Sequence, residues 1–207
     1  MAAPTGVLEG TDDTTLGAVL GDAAAAFDDA DVPYALLGGL ASSLYGRPRA
    51  TADIDLFVRP ADAKRALEAL AAAGFDTEET NPKWIFKAEK HGLAIDLMFE
   101  VYGGITLDDE MIERSREMEL AGARIRVLSP EDVIVIKAIS HDDQSPRHWY
   151  DALGVIAACE LDWEYLLQRA RHGARRVLSL LVYAQSVDLV VPEEPIRSLF
   201  EQVYGAA

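Results

Sequence analysis

The chain has 207 residues, of which 50% are hydrophobic and 26% charged, a composition typical of a folded soluble protein with one domain or a small domain and an appended lobe. The formal net charge of −16 opposes broad, non-specific binding to nucleic acid, because lysine and arginine must neutralise phosphates, and it suits a cationic partner or substrate. No bilayer-length apolar stretch or signal-peptide pattern is visible, and the single cysteine, Cys159, permits no internal disulfide. We therefore expect a cytoplasmic protein that does not contact membranes.

The residue pattern predicts an α/β lobe over residues 1–128. It indicates helices over 14–29, 40–46 and 61–74, strands over 34–38, 54–58 and 123–129, and a β-hairpin within 83–100. From Ser129-Pro130 onward the pattern becomes helical, with a helix starting at the proline and others over 147–160, 162–172, 174–187 and 193–204. The prediction is a small mixed β-sheet flanked by helices, followed by an all-helical lobe over 129–207.

Two carboxylates lie one residue apart at the start of an apolar strand pattern. Residues i and i+2 of a strand point to the same face, so Asp53 and Asp55 would project side by side while Ile54 and Leu56 face the core. Like charges at this separation repel one another, whereas a divalent cation would hold both, and Mg²⁺ prefers such oxygen ligands. A solvated strand end is the alternative for this pair taken alone.

A third carboxylate, Asp96, lies within the apolar stretch LAIDLMF. A lone acid in such a strand needs a partner or a cation. If this strand lies beside the one that carries Asp53 and Asp55, three carboxylates converge on a metal site. The alternatives are that Asp96 lies on the solvated face of the sheet or pairs with Lys87.

A glycine pair, Gly38-Gly39, follows the first strand and opens a short helix. Backbone without a Cβ lets phosphate oxygens approach, a helix N-terminus offers N–H groups to an anion, and Ser42 and Ser43 add hydroxyl donors. The stretch has neither the Lys-Ser/Thr of a Walker loop nor the third glycine of a dinucleotide fingerprint, so a plain turn is the alternative. Arg49, and Arg47 before it, would meet phosphate or remain solvated loop arginines.

These motifs together resemble a known family. LGG, followed after a short helix by TADIDLF, resembles the DNA polymerase β-like nucleotidyltransferase superfamily, and GGLASSLYGRPRATADIDLFV is similar to its AbiEii-type branch, whose members include toxins of toxin–antitoxin pairs. The resemblance implies a nucleotidyltransferase fold and Mg²⁺, or Mn²⁺ in its place, bound by Asp53, Asp55 and Asp96. It implies that Asp96 helps to deprotonate the acceptor hydroxyl. It further implies triphosphate contacts from the glycine pair and the two serines.

The predicted helical lobe holds three further candidates. Lys137 lies in an apolar run, so its ammonium must snorkel to water or meet an anion. Arg147 and Asp151 are spaced i, i+4, which favours a surface ion pair. AbiEii-like chains carry a lysine on one helix and an RDxxD-like element on the next, and here His148 replaces the first aspartate. By this resemblance Lys137 contacts nucleotide phosphate and Asp151 positions it.

The expected activity is transfer of a nucleoside monophosphate from an NTP, such as ATP, to an acceptor hydroxyl. A toxin-like enzyme would modify the 3′ end of tRNA or a protein, with a cognate antitoxin as partner. An antibiotic-modifying enzyme would act instead on an aminoglycoside, a small polycation that suits the negative charge. A catalytically idle relative that only binds nucleotide or a partner is the third reading, and the intact carboxylates argue against it.

Overall fold

The computed structural model of the protein describes residues 12–46 and 48–205. Within these residues the chain divides into two compact units. The first unit comprises residues 12–44, 48–101 and 106–129, and the second comprises 45–46, 102–105 and 130–205. In the described part of the chain, no helix has the length and apolar character needed to cross a bilayer.

The first unit holds the β-sheet and the helices that pack on it. In chain order these are α1 (Asp13–Asp29), β1 (Tyr34–Leu36), α2 (Gly38–Tyr45, entering the second unit at its last residue), β2 (Asp53–Val58), α3 (Ala63–Ala72, preceded by a short 3₁₀ turn at Pro60–Asp62), β3 (Asp76–Asn81), β4 (Ile85–Lys90), β5 (Leu93–Met98), α4 (Asp109–Arg114), β6 (Arg116–Leu120) and β7 (Ala123–Val127).

The seven strands form one mixed sheet in the order β3-β4-β5-β2-β1-β7-β6. Strands β2 and β5 run parallel at its centre, and β1 pairs antiparallel with β2 on one side while β4 pairs antiparallel with β5 on the other. The expected fold class, a mixed sheet with flanking helices, is confirmed. The alternation predicted for β2 is also present, because Ile54 and Leu56 are fully buried whereas Asp53 and Asp55 keep intermediate exposure.

Three elements were not predicted, namely β3, α4 and β6. Strand β3 has the sequence DTEETN and five of its six residues are exposed, so it lacks the apolar alternation by which strands are recognised. Strand β6, with the sequence REMEL, buries only Leu120. Both are edge strands, and their backbone pairing with β4 and β7 holds them in the sheet. Tertiary pairing, rather than local sequence pattern, therefore defines these edges.

The second unit contains the helices of the C-terminal part of the chain. They are α5 (Pro130–Ser140), α6 (Arg147–Ala158), α7 (Trp163–Ala170), α8 (Ala174–Ser186) and α9 (Glu193–Tyr204). Helix α5 is buried over residues 130–139 and packs against α6, α7 and α8, so it forms the centre of this unit. Helix α6 approaches residue 46 so closely that a Cβ on Gly46 would lie 2.6 Å from the carbonyl carbon of Gly154.

Candidate functional site

Three carboxylates converge on neighbouring parallel strands of the first unit. Asp55 of β2 lies directly opposite Asp96 of β5 in the strand register, and Asp53 lies two residues before Asp55 on the same face. One carboxylate oxygen from each residue lies within 4.8 Å of the others, and all three residues have intermediate exposure. The parallel pairing of β2 with β5 thus produces the convergence that the sequence predicted as one possibility.

Two neighbouring side chains hold the carboxylate cluster, which we define as Asp53, Asp55 and Asp96. Thr51, a buried residue, donates a hydrogen bond of 3.0 Å from Oγ1 to Oδ1 of Asp53. Lys87 of β4 lies opposite Asp96 in the antiparallel register, with 2.6 Å between its Nζ and Oδ1 of Asp96. Asp96 therefore pairs with Lys87, one of the alternatives given for it, and also belongs to the carboxylate cluster. Sequence reasoning missed Thr51, for which the T-x-D spacing was the available signal.

The first glycine of the pair is required by the carboxylate cluster itself. Gly38 has a φ of +69°, a conformation that side chains rarely adopt, and a Cβ at this position would lie 1.8 Å from Oδ2 of Asp55. The backbone N–H of Leu37 donates to the carbonyl oxygen of Asp55 at 3.0 Å. The start of α2 is thus seated directly against Asp55, with no room for a side chain between them.

The second glycine, Gly39, lies close to the hydroxyl of Thr51 and the guanidinium of Arg49. A Cβ here would lie 2.7 Å from Oγ1 of Thr51 and 3.2 Å from Nη2 of Arg49. Arg49 donates from Nη1 to the carbonyl oxygen of Ala50 at 2.9 Å, which holds its guanidinium beside α2. The predicted neighbour Arg47 lies outside the described residues.

The two predicted serines lie on α2, and each donates its hydroxyl to a carbonyl oxygen of the same helix. Ser42 donates to the carbonyl oxygen of Gly38 at 2.8 Å and Ser43 donates to that of Gly39 at 2.9 Å, and both serines are buried. Such bonds back to the preceding turn are common for serine inside helices. The hydroxyl oxygen of Ser43 also lies 3.3 Å from the carbonyl oxygen of Arg49 and accepts from the backbone N–H of Arg49 at 3.4 Å, so a contact with phosphate would require these bonds to be given up.

The predicted lysine and aspartate of the second unit pair with each other. Nζ of Lys137 on α5 lies 2.9 Å from Oδ2 of Asp151 on α6, and their side chains are only 7% and 1% exposed. Of the two alternatives for Lys137, snorkelling to water or meeting an anion, the structure has the second. The expected surface ion pair between Arg147 and Asp151 is wrong, because Asp151 faces the interior of the unit toward Lys137 whereas Arg147 is exposed.

A second buried ion pair lies at the other face of α5 and was not predicted. Nε of Arg169 lies 3.2 Å from Oδ1 of Asp132, and the hydroxyl of Tyr165 donates to Oδ2 of Asp132 at 2.9 Å. The side chains of Arg169 and Asp132 are 2% and 1% exposed. The local sequences SPED and LQRARH are typical of a helix start and a solvated helix end, so they carried no signal for this pair.

His148, the residue that departs from the RDxxD-like element, lies beside the Lys137–Asp151 pair. Partial burial, together with the positive charge of Lys137, lowers the pKa of its imidazole below the ordinary value of 6.5. A backbone contact with Ser140 and the negative charges of Asp151 and Asp142 act in the opposite direction but do not reverse the shift. Within residues 12–46 and 48–205, its buried Nδ1 has no hydrogen-bond partner. His148 is therefore predominantly neutral at pH 7.

The carboxylate cluster fits a divalent cation. Among the described residues it is the group of His, Cys, Asp or Glu side chains placed to hold an ion. Ligand oxygens on opposite sides of one Mg²⁺ lie about 4.2 Å apart, so oxygens that lie within 4.8 Å of one another are already close to the spacing that a bound ion requires. Hard carboxylate oxygens are also the donors that Mg²⁺ and Mn²⁺ prefer.

A known protein family matches the part of the chain that contains this site. The model of a family described as an uncharacterised nucleotidyltransferase matches residues 11–187. The chain belongs to this family. The match includes β1, α2, β2 and β5, so the glycine pair and all three carboxylates lie inside it. The protein is therefore an enzyme of the nucleotidyltransferase class, and the predicted resemblance to that class is confirmed, while the AbiEii-type branch stays a prediction.

Solved structures share the fold. A crystal structure of ANT(2″)-Ia in complex with adenylyl-2″-tobramycin aligns with a TM-score of 0.53 at 20% identity over 78% of this chain and 99% of that one. A solution structure of the antibiotic-resistance factor ANT(2″)-Ia aligns with a TM-score of 0.51 at 21% identity, over 84% and 94% of the two chains. An antigenic nucleotidyltransferase-like protein from Paracoccidioides brasiliensis gives a TM-score of 0.53 at 15% identity, over 92% and 96%. No curated protein matches the sequence significantly.

Proposed function

We propose that this nucleotidyltransferase moves a nucleoside monophosphate from an NTP to an acceptor hydroxyl, with the reaction centred on Asp53, Asp55 and Asp96. The observation that carries the proposal is the convergence of three carboxylate oxygens within 4.8 Å on two in-register parallel strands. Like charges brought this close are unfavourable unless a cation offsets them.

The transfer is an in-line displacement at the α-phosphorus. The acceptor oxygen forms a bond to that phosphorus, the bond from the phosphorus to the bridging oxygen of the β-phosphate breaks, and pyrophosphate leaves. Asp96 accepts the proton of the acceptor hydroxyl, while Asp53 and Asp55 would hold the metal. A bound Mg²⁺ or Mn²⁺ supplies neutralisation of the phosphate oxygens. Thr51 orients Asp53 through its hydrogen bond, and the contact with Gly38 fixes the position of Asp55.

The triphosphate is proposed to bind at the start of α2. Gly38 and Gly39 let the phosphates approach the backbone N–H groups of the first turn, and Arg49 supplies a cation beside them. Ser42 and Ser43 join this set if their hydroxyls rotate away from the α2 carbonyls, to which both now donate.

In the second unit, Lys137 is proposed to contact nucleotide phosphate and Asp151 to orient it. The 2.9 Å ion pair supports the orienting role of Asp151. The low exposure of the Lys137 side chain, 7%, means that its ammonium would serve a phosphate from a fixed direction rather than as a mobile surface charge.

For the acceptor, we favour a small cationic molecule with free hydroxyls, of the aminoglycoside kind. The net charge of −16 supports this choice, because it attracts polycations and repels the phosphate backbone of RNA. ANT(2″)-Ia, which shares the fold, is solved with adenylyl-2″-tobramycin. Modification of a tRNA 3′ end or of a protein, with an antitoxin as partner, is the competing proposal, and it rests on the resemblance of residues 38–58 to AbiEii-type chains.

A labelling experiment tests the reaction and the acceptor together. The protein is incubated with each α-³²P-labelled NTP and Mg²⁺ in the presence of aminoglycosides, total tRNA or a protein lysate. We expect label in the aminoglycoside fraction, and label in tRNA or protein would instead favour the toxin-like activity. Asp55→Asn should abolish labelling, whereas Asp76→Asn, which removes the same charge from the exposed edge strand β3, should retain it. Absence of label in every fraction, or equal labelling by Asp55→Asn, would contradict the proposed function.

Ligand-induced stabilisation tests binding separately from chemistry. Mg²⁺ with an NTP should raise the midpoint of thermal unfolding of the parent protein, because a ligand that binds only the folded state stabilises it. The rise should be much smaller for Asp55→Asn and unchanged for Asp76→Asn. An equal rise in all three proteins would place the nucleotide away from the carboxylate cluster.

A further inference from the structure

A cavity of about 590 Å³ lies within the second unit. Its lining comes from Tyr102 and Gly103, from Ile139 of α5, from residues 172–176 around the start of α8, and from Gln202 and Val203 of α9. Pockets that bind small molecules commonly have volumes of about 300–1,000 Å³. The cavity is therefore large enough for a small organic ligand.

The cavity lies against a cationic stretch of an acidic chain. The sequence holds 35 acidic residues among 207, yet residues 165–187 contain none, and four arginines fall within residues 169–176. Two of these, Arg175 and Arg176, line the cavity, and no aspartate or glutamate is among the described residues that line it. The net charge of −16 attracts cations to the protein as a whole, whereas this lining favours an anion.

The guanidinium of Arg176 is held in place by the end of α5. Its Nη1 donates to the carbonyl oxygen of Ile139 at 2.6 Å and to that of His141. These bonds do not use the N–H groups of Nε and Nη2, which can donate to an anion. An arginine fixed in this way loses little side-chain entropy when it binds a ligand. Arg175, exposed on the first turn of α8, adds a second guanidinium to the lining.

A phosphate monoester matches this lining in both charge and shape. It carries close to two negative charges at pH 7 and three terminal oxygens, so it can accept hydrogen bonds from two guanidiniums, and arginine pairs with phosphate through two parallel bonds. A carboxylate brings one charge and two oxygens. The remaining lining includes Tyr102, Ile139 and Val203, whose apolar and aromatic surface suits the organic part of such a ligand.

We infer that this cavity, which we call the arginine cavity, binds a small organic phosphate through Arg175 and Arg176. The inference goes beyond the proposed function and does not depend on it, because no residue that lines the arginine cavity is among those proposed to hold the metal or the NTP. The site would give the enzyme a second anionic ligand, bound by residues other than those that bind its substrate.

Isothermal titration calorimetry of the full chain tests this inference, with ribose 5-phosphate and inorganic phosphate as probes. EDTA in the buffer removes metal ions that could bind phosphate. We expect one molecule of ribose 5-phosphate per chain, bound more tightly than inorganic phosphate, which lacks the organic part. Arg175→Gln should raise the dissociation constant about tenfold, because it removes a charge-assisted hydrogen-bond donor. Arg175 is exposed, so the variant should fold, which thermal unfolding checks.

Two further variants test the cavity and the specificity of the charge effect. Ala174 lines the cavity, so Ala174→Trp should fill part of it and weaken binding of ribose 5-phosphate without a change in charge. Arg197→Gln removes the same charge as Arg175→Gln from α9, where the side chain is 70% exposed and does not line the cavity. It should leave the dissociation constant unchanged.

Arg49→Gln distinguishes the arginine cavity from the proposed triphosphate site, and it should bind ribose 5-phosphate as the parent does. If Arg49→Gln weakens binding but Arg175→Gln and Ala174→Trp do not, the triphosphate site holds the probe, and the inference is wrong while the proposed function stands. Absence of binding by the parent, or equal binding by Arg175→Gln and Arg197→Gln, would also overturn the inference. Equal dissociation constants for the two probes would contradict the organic class of the ligand.

Discussion

The carboxylate cluster of the first unit and the ion pairs of the second unit differ in the burial and the pairing of their charges. In the second unit Lys137 is matched by Asp151, and Arg169 by Asp132, with every one of these side chains at most 7% exposed. In the first unit three carboxylates of intermediate exposure converge, and the ammonium of Lys87 pairs with one of them, Asp96. A charge that is shielded from water depends on its partner, because loss of the partner leaves a buried charge, whereas acids that converge at a partly solvated position can take up a cation.

The largest effect should come from breaking a balanced pair. Lys137→Met removes the ammonium that lies 2.9 Å from the buried carboxylate of Asp151, so we expect the free energy of unfolding to fall by about 3–5 kcal/mol, measured by urea denaturation. The double variant Lys137→Met/Asp151→Leu should recover part of this loss, because it removes both buried charges. A loss below about 1 kcal/mol in the single variant would show that the pair contributes no more than a surface one.

The carboxylate cluster should respond in the opposite way. Asp53→Asn is expected to reduce nucleotidyl transfer by about 10²–10³-fold, the scale seen when one electrostatic contact to a transition state is removed. Its free energy of unfolding should be unchanged or slightly higher, since one of three neighbouring negative charges is gone. Initial rates with labelled NTP measure the transfer activity, and urea denaturation measures the free energy of unfolding. If Asp53→Asn lowers the free energy of unfolding as well as the transfer rate, Asp53 is a structural residue and the two units do not differ in this respect.

The close approach of Asp55 to the start of α2 predicts a smaller effect, for which a second glycine with positive φ serves as the control. Gly38→Ala combines a strained positive φ with a Cβ placed 1.8 Å from Oδ2 of Asp55, so it should lower both stability and activity. Gly92→Ala has a similar φ of +78° with no atom within 4 Å of its Cβ, and it should cost only the strain of about 1–2 kcal/mol. Thermal unfolding and transfer rates distinguish them. Equal effects from the two variants would mean that the contact with Asp55 is unimportant.

The smallest expected effect is a pH dependence in the second unit. The pKa of His148 is lowered in the folded protein by burial and by Lys137, so the unfolded chain binds a proton at a higher pH than the folded one does. Stability from this group is fully present above its ordinary pKa of 6.5 and is lost as pH falls toward the lowered folded-state value. The slope of unfolding free energy against pH below 6.5 should therefore be less steep in His148→Gln. Parallel curves for the two proteins would contradict the shift.

Sequence patterns predicted the centre of the first unit better than its edges. Strand β2 begins with two acids that alternate with apolar residues, and β5 carries one acid within an apolar pattern. Each pattern predicts a half-buried strand and marks its acid as a candidate for chemistry. The all-polar β3 carries no such pattern and is defined by its pairing with β4. The register that places Lys87 opposite Asp96 was open as well, because pairing alternatives are decided by three-dimensional contacts.

The ion pairs of the helical unit were not predictable from local sequence patterns. An ammonium in an apolar run, Lys137, signals a buried partner, but the sequence spacing suggested that Asp151 pairs with Arg147 on the surface. Arg169 gave no signal at all, since arginine near the end of a short helix is ordinarily solvated. Which face of a helix is covered depends on the neighbouring helices, and that information is spread over residues far apart in the chain.

The register between β2 and β5 makes assembly of the site an all-or-none event. Side chains alternate between the two faces of a strand, so a slip of one residue would turn Asp96 into the core and bring Ile95 or Leu97 out beside Asp55. A misaligned molecule would therefore lose its chemistry and bury a charge in the same step. Single-residue insertions or deletions within β5 should yield misfolded chains rather than folded enzymes of altered specificity, which confines evolutionary change in acceptor preference to segments outside this strand pair.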